Sequence, residues 1–149
     1  MKMDSHDSRI GFLVFRTARG MKKALDSRLT EYHITSSQYT VLSALGNDDC
    51  LSLSEISKRV YLDKPAITAL ADHLEQEELV ERRRSPEDRR IVRLCLTEKG
   101  RKLQLRFEEI ARNIDDELIR EITPEELVVF RTILNRIWLT ASRDLNGET

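Results

Sequence analysis

The densest reactive chemistry in the chain is cationic. Residues 82 to 93 carry six arginines (82, 83, 84, 89, 90 and 93) against Glu87 and Asp88, a local net charge of +4. Ahead of them, Ser52, Ser54, Asp63, Lys64 and Pro65 stand where apolar-periodic stretches begin. Guanidinium and ammonium groups, together with hydroxyls and free N–H groups at helix starts, are what phosphate oxygens require. Taken alone, an arginine cluster is as often a solvated face. Its place on a hairpin pattern directly after two capped helices is what points to a polyanion.

No competing chemistry is supported. The sequence contains no G-x-S-x-G, no glycine-rich phosphate loop and no H-E-x-x-H, so an enzyme is not expected. Cys50 and Cys95 stand far apart with no C-x-x-C spacing, and His6, His33 and His73 form no ligand cluster with them. Neither a disulfide scaffold, a zinc site nor any cofactor is expected. Acidic residues concentrate at 115 to 126, a local net charge of −5, which is read as helix-end and surface charge.

The elements that must position the cations follow from periodicity and caps. Apolar residues Ile10, Leu13, Val14, Met21, Leu25, Leu29 and Tyr32 fall near the 3.6-residue period, predicting a long first helix from Ser8 to about Tyr32. Thr35 with Gln38 makes a capping box for a second helix carrying Tyr39, Leu42 and Leu45, which Gly46 and Asn47 end. Ser52 with Glu55 makes another box, opening a short helix that turns Ile56 and Val60 inward. Asp63 caps the next, with Pro65 in its first turn. Projection at the helical period puts Ile67, Leu70, Ala71 and Leu74 on one side, and Pro65, Thr68, Ala69 and Asp72 on the other. Leu79 to Arg84 and Ile91 to Leu96 are predicted strands joined by SPEDRR, with Cys95 on the face opposite Val92, Leu94 and Leu96. Thr97 caps a helix reaching about Glu121. Thr123, Pro124 and Glu126 open the last, which carries Leu127, Phe130, Leu134, Ile137, Trp138, Ala141 and Leu145.

At 149 residues and 40% apolar content, the chain can bury a real core, while 5% aromatic and 34% charged residues favour long solvated helices. The fold class expected is mainly α with a small β-hairpin (α+β). Overall charge is −1 and the pI about 6.3, an average that hides the two opposite fields. The run Ile10 to Phe15 is interrupted by Gly11 and too short for a signal-peptide core. No stretch approaches the ~18 apolar residues of a membrane span, so a soluble cytoplasmic protein with no membrane partner is expected. The first, fifth and sixth helices each carry an apolar stripe that no remaining element covers, and a symmetric homodimer is the economical way to bury them.

Helix, turn, helix and then a basic hairpin is the order of a winged helix-turn-helix, in which the second helix can occupy a major groove while the hairpin tip, the wing, reaches a minor groove. The segment SPEDRRIVRLCLTEKG, residues 85 to 100, is similar to the wing signature of the MarR family of bacterial transcriptional regulators: D-x-R, alternating apolar residues, then L-T-x-x-G. LDKPAITALADHLEQEELVER resembles that family's recognition helix and following strand, and ITSSQYTVLSAL its second helix. The resemblance spans nearly the whole chain. It implies a winged helix-turn-helix at 35–97 flanked by helical dimerisation regions at 1–34 and 98–149. It further implies a homodimer on a pseudo-palindromic double-stranded DNA operator, usually a repressor released by a small aromatic or phenolic effector or by an oxidant.

Residue by residue, the family's minor-groove arginine maps to Arg90 and the aspartate that orients it to Asp88, with Arg89 facing the backbone. Positions that meet bases map to Pro65, Ala66, Thr68 and Ala69, with Lys64 near a phosphate. Ser54, at a helix start, and Arg84, at the base of the wing, complete the expected DNA-binding set. Many members carry a basic residue where this chain has Ala69, so thymine methyl contact and DNA shape are expected to matter more here. Oxidant-sensing members generally place their cysteine in the first helix region, where this chain has none. His33 has equal claims to a ligand cavity and to a structural hydrogen bond. Asp72 is read as an arginine's partner rather than a base reader, and Arg82 and Arg83 as strand-flanking or paired with acids. The alternatives from other classes are a winged-helix module that grips an acidic protein, and an activator or anti-silencer using the same DNA-binding mode.

Overall fold

The computed structural model describes residues 9–145, so Ser8 lies outside the described residues, as does the side chain of Leu145. Its elements run α1 (Ile10–Leu29), a 3-10 turn (Thr30–Tyr32), α2 (Ser36–Leu45), β1 (Cys50–Ser52), α3 (Leu53–Val60), α4 (Lys64–Gln76), β2 (Val80–Arg84), β3 (Val92–Leu96), α5 (Glu98–Leu118) and α6 (Pro124–Leu145). The chain divides into a compact unit up to Ile114 and a second from Asp115 onward.

Local chemistry sets the helix starts. Both capping boxes close: the Thr35 and Ser52 hydroxyls accept from the Gln38 and Glu55 N–H groups, and the Gln38 and Glu55 side chains accept in return from the N–H groups of Thr35 and Ser52. Asp63 accepts from the Ala66 N–H at 2.8 Å, and Thr123 and Glu126 form the reciprocal pair that opens α6. At the end of α2 the helix stops where expected, but Gly46 stays right-handed (φ −58°). The left-handed residue of that turn is Asp49. An added Cβ at residue 46 would meet only the end of the Gln104 side chain, 2.5 Å from its Nε2.

In the first unit, a core of Leu29, Val41, Leu42, Leu45, Ile56, Ile67, Ala71, Leu74, Leu79 and Leu94 is closed by Phe107, Ile110 and Ile114 of α5. Tyr32 meets the Phe107 ring edge-on with centroids 5.2 Å apart, a favoured aromatic geometry. The root of the hairpin is fastened to α5. Thr97 donates through its hydroxyl to the Glu78 carbonyl and accepts from the Gly100 N–H. A Cβ at residue 100 would stand 1.8 Å from the Leu79 carbonyl oxygen, so only glycine admits this approach.

The sheet has three antiparallel strands in the order β1-β3-β2 rather than the two-stranded hairpin expected. Strand β1 is only three residues long, too short to leave an alternation signal. It also overturns the expectation for the cysteines. Cys50 and Cys95 are register partners across β1 and β3 and are joined in a disulfide. Spacing along the chain could not show this, because the pair is created by strand register. Cys95 does lie on the face opposite Leu94, as alternation predicts, and it is buried there.

In the second unit, α6 leaves Val128, Val129, Phe130, Ile133, Ile137, Trp138 and Leu139 exposed. Helix α1, in the first unit, likewise exposes Ile10, Val14 and Phe15, the last at 76%.

Candidate nucleic-acid interface

The expected faces of α4 are realised. Ile67, Ala71 and Leu74 are fully buried and Leu70 is half-buried, while Lys64, Pro65, Thr68, Ala69 and Asp72 are exposed and Ala66 is half-buried. The exposed face is short and mostly uncharged. The Ala66 N–H is already taken by Asp63, and the Thr68 hydroxyl donates to the Lys64 carbonyl at 3.0 Å, keeping its lone pairs available. Such a surface offers methyl groups and an acceptor, but few donors for base edges.

Beside it, Ser52, Leu53, Ser54, Lys64, Arg90, Ile91 and Val92 line one shallow groove. Three predicted site residues from separate elements, Ser54 of α3, Lys64 of α4 and Arg90 of the wing, are therefore brought together. Two helix starts and two side-chain cations converge there, the arrangement a phosphodiester backbone needs.

The wing loop is built around Asp88. Its carboxylate accepts from the Arg90 backbone N–H at 3.0 Å, from Arg90 Nε at 3.2 Å and from Arg90 Nη2 at 3.3 Å. Those bonds, the backbone one first, hold the Asp88 carboxyl below its ordinary value. Arg90 is oriented by its neighbour while its side chain remains 91% exposed at the tip. Arg84 donates from Nη1 to the Arg89 carbonyl at 2.9 Å, bracing the loop from β2. Arg89 is exposed, and among the described residues its guanidinium has no hydrogen-bond or ion-pair partner. Loop closure also uses the buried Ser85, whose N–H donates to the Ile91 carbonyl and whose hydroxyl donates to Glu87.

Strand parity divides the remaining arginines. Arg83 and Arg93 are register partners on one face of the sheet, a like-charge pair relieved by Glu81 beside Arg83 and Glu87 at 3.3 Å from Arg93. Arg82 and Arg84 lie on the other face with Leu94 and Val92. Arg82 bonds Asp72 and Glu75 of α4, as expected for Asp72. The Glu75 contact escaped the sequence reading, although the parity that places Arg82 beside Val80 was a signal for it. At the α1–α2 elbow, His33 has a left-handed backbone (φ 58°) and its backbone carbonyl, not its imidazole, accepts from His73 Nε2 at 2.8 Å, while both histidines line one cavity.

Comparison with known proteins agrees with this architecture. Residues 34–92 match the MarR family. The HTH-type transcriptional regulator SarZ of Staphylococcus epidermidis is 32% identical over 115 residues, covering 77% of this chain and 76% of SarZ. Among solved structures, a cysteine variant of MarR from E. coli complexed with operator DNA superimposes with a TM-score of 0.82 at 25% identity, over 91% of this chain and 99% of that one. BldR from Sulfolobus solfataricus, a transcriptional regulator, superimposes with a TM-score of 0.74 at 29% identity, over 90% of this chain and 99% of BldR. With the wing signature, the helix-turn-helix and these relatives in agreement, the chain belongs to the MarR family.

Proposed function

We propose that this chain is a sequence-specific DNA-binding transcriptional regulator, a cytoplasmic homodimer on a pseudo-palindromic operator. In this reading α4 lies in the major groove, with Pro65, Ala66, Thr68 and Ala69 toward the bases. Lys64 and Ser54 take phosphates, and Arg90, steadied by Asp88, extends into the adjacent minor groove with Arg89 along the backbone. The observation that carries it is the convergence of the α3 start, the α4 start and Arg90 on one groove beside an exposed, small-residue helix face. The exposed apolar surfaces of α1 and α6 support the dimer, and E. coli MarR, solved with operator DNA, supports the ligand class. Repression relieved by a small aromatic or phenolic effector is the regulatory mode that family membership favours.

The test is a gel-shift titration of the full chain on duplexes from the region upstream of its own gene, at two salt concentrations. A retarded complex is expected whose log affinity falls steeply with log salt, because several phosphates are neutralised. Half-sites centred about one helical turn apart are expected in the protected sequence. Salt-insensitive binding, or no retarded duplex, overturns the reading. A stable complex with an acidic protein instead would favour an interaction module.

A further inference from the structure

We infer that Arg82 is a positioning residue for sequence recognition: it fixes the recognition helix α4 to the wing so that both engage DNA in one register. The inference rests on the DNA-binding reading above. Arg82 stands on β2, on the face that carries Leu94 and Val80 and packs toward α4. Its Nη2 donates to Asp72 Oδ1 at 2.5 Å and, at the longer distance of 3.5 Å, to the Thr68 carbonyl. Its Nη1 donates to Glu75 Oε1 at 3.0 Å, and its backbone N–H to Glu75 Oε2 at 3.2 Å. Residues 68, 72 and 75 follow one another along one side of the helix, so a single guanidinium spans about two turns of α4.

The brace continues to the wing tip. Two residues further along the same strand and on the same face, Arg84 holds the Arg89 carbonyl. The base-facing helix and the loop carrying Arg90 are thus linked through one strand, the Arg82 fork and the single Arg84 bond. Arg82 is itself drawn in, its side chain 27% exposed against 60% for Asp72 and 44% for Glu75. It also neutralises two carboxylates that α4 would otherwise carry toward phosphates. A lysine would keep the charge, but a point ammonium on a flexible stem cannot fork to three acceptors in fixed directions. A helix free to shift against the wing can still meet phosphates, yet it cannot place base contacts and the minor-groove arginine together.

The experiment uses the full chain, a duplex selected by this protein from a random-sequence pool, and a scrambled duplex of the same length and composition. The reading is the ratio of the two affinities, with the salt slope on the scrambled duplex and the melting temperature alongside. For Arg82→Lys the ratio is expected to fall about tenfold, the size of a coupling within one hydrogen-bonded network, with the salt slope unchanged. Asp72→Ala, which removes one anchor on an exposed side chain, is expected to lower the ratio less and in the same direction. An unchanged ratio in Arg82→Lys overturns the inference. A scrambled-duplex slope flatter by about one in Arg82→Gln, which removes the charge, also overturns it, since Arg82 would then be neutralising a phosphate itself. Should Arg82→Lys melt below the assay temperature, Asp72→Ala decides, and an unchanged ratio there overturns it. A wild-type protein that does not prefer its selected duplex would overturn the DNA reading instead, before any variant is compared.

Discussion

Helix α4 and the wing flank one groove of the protein surface with opposite materials. Helix α4 turns outward an alanine, a proline, a threonine and one lysine, with its acids held by Arg82. The wing is dominated by arginine, yet most of its guanidinium groups are already engaged within the protein: Arg83 with Glu81, Arg84 with a loop carbonyl, Arg90 with Asp88 and Arg93 with Glu87. A count of arginines therefore overstates the charge offered to DNA. The groups best placed to contribute it are Arg89, Lys64 and the exposed, pre-oriented Arg90. In the proposed DNA-bound arrangement, shape and small apolar contacts fall to the helix, charge to a few residues at the wing tip and the groove between them.

Breaking the sheet beneath the wing separates the two regions most severely. Replacing Cys50 by Ser removes a crosslink that closes a 45-residue separation. Chain-entropy reasoning puts the loss of folding stability at about 2 to 4 kcal/mol, to be read as a lower denaturant midpoint than wild type under non-reducing conditions. An unchanged midpoint would mean that β1 and β3 hold without their covalent link.

Next in size, Arg90→Ala should weaken operator binding by about 1 to 3 kcal/mol while leaving the dimer intact by light scattering. If Thr68→Ala costs more than Arg90→Ala in the same titration, the division between a charged wing and a quiet helix is wrong. A smaller, purely electrostatic change is expected for Arg89→Ala. Affinity should fall by a similar factor on every duplex, and the log–log salt slope should flatten by about 0.9, one phosphate's worth.

The smallest effect concerns pH. The Glu55 carboxyl, which closes the α3 capping box, is held below its ordinary 4.5, first by the Ser52 backbone N–H and then by the Ser52 hydroxyl. A carboxyl depressed in the folded state stabilises above its unfolded value, and that contribution is lost as pH falls through the folded value. Stability should therefore be level from neutrality to about pH 5 and decline below the ordinary 4.5, with Glu55→Gln showing less of that decline in acid melts. A wild-type midpoint that already drops between pH 7 and 6 would point to other groups.

What the sequence determined by itself is whatever depends on neighbours within a turn or two. Thr35 with Gln38, Ser52 with Glu55, Asp63, and Thr123 with Glu126 start their helices as expected, because a cap closes over three residues. The faces of α4 follow from period alone; β3 alternates in register but not in burial, since Leu94, Cys95 and Leu96 are all buried, and the Asp88–Arg90 pair realises what the family resemblance implied. Only tertiary structure decided the rest. Strand β1 exists because β3 pairs with it, and the Cys50–Cys95 bond because register sets the two residues opposite one another. Gly100 is required because Leu79 passes close by, and Arg82 has its partners because β2 returns along α4. In each case the partner is distant along the chain or revealed only by packing, and neither periodicity nor charge count carries the direction in which the chain comes back.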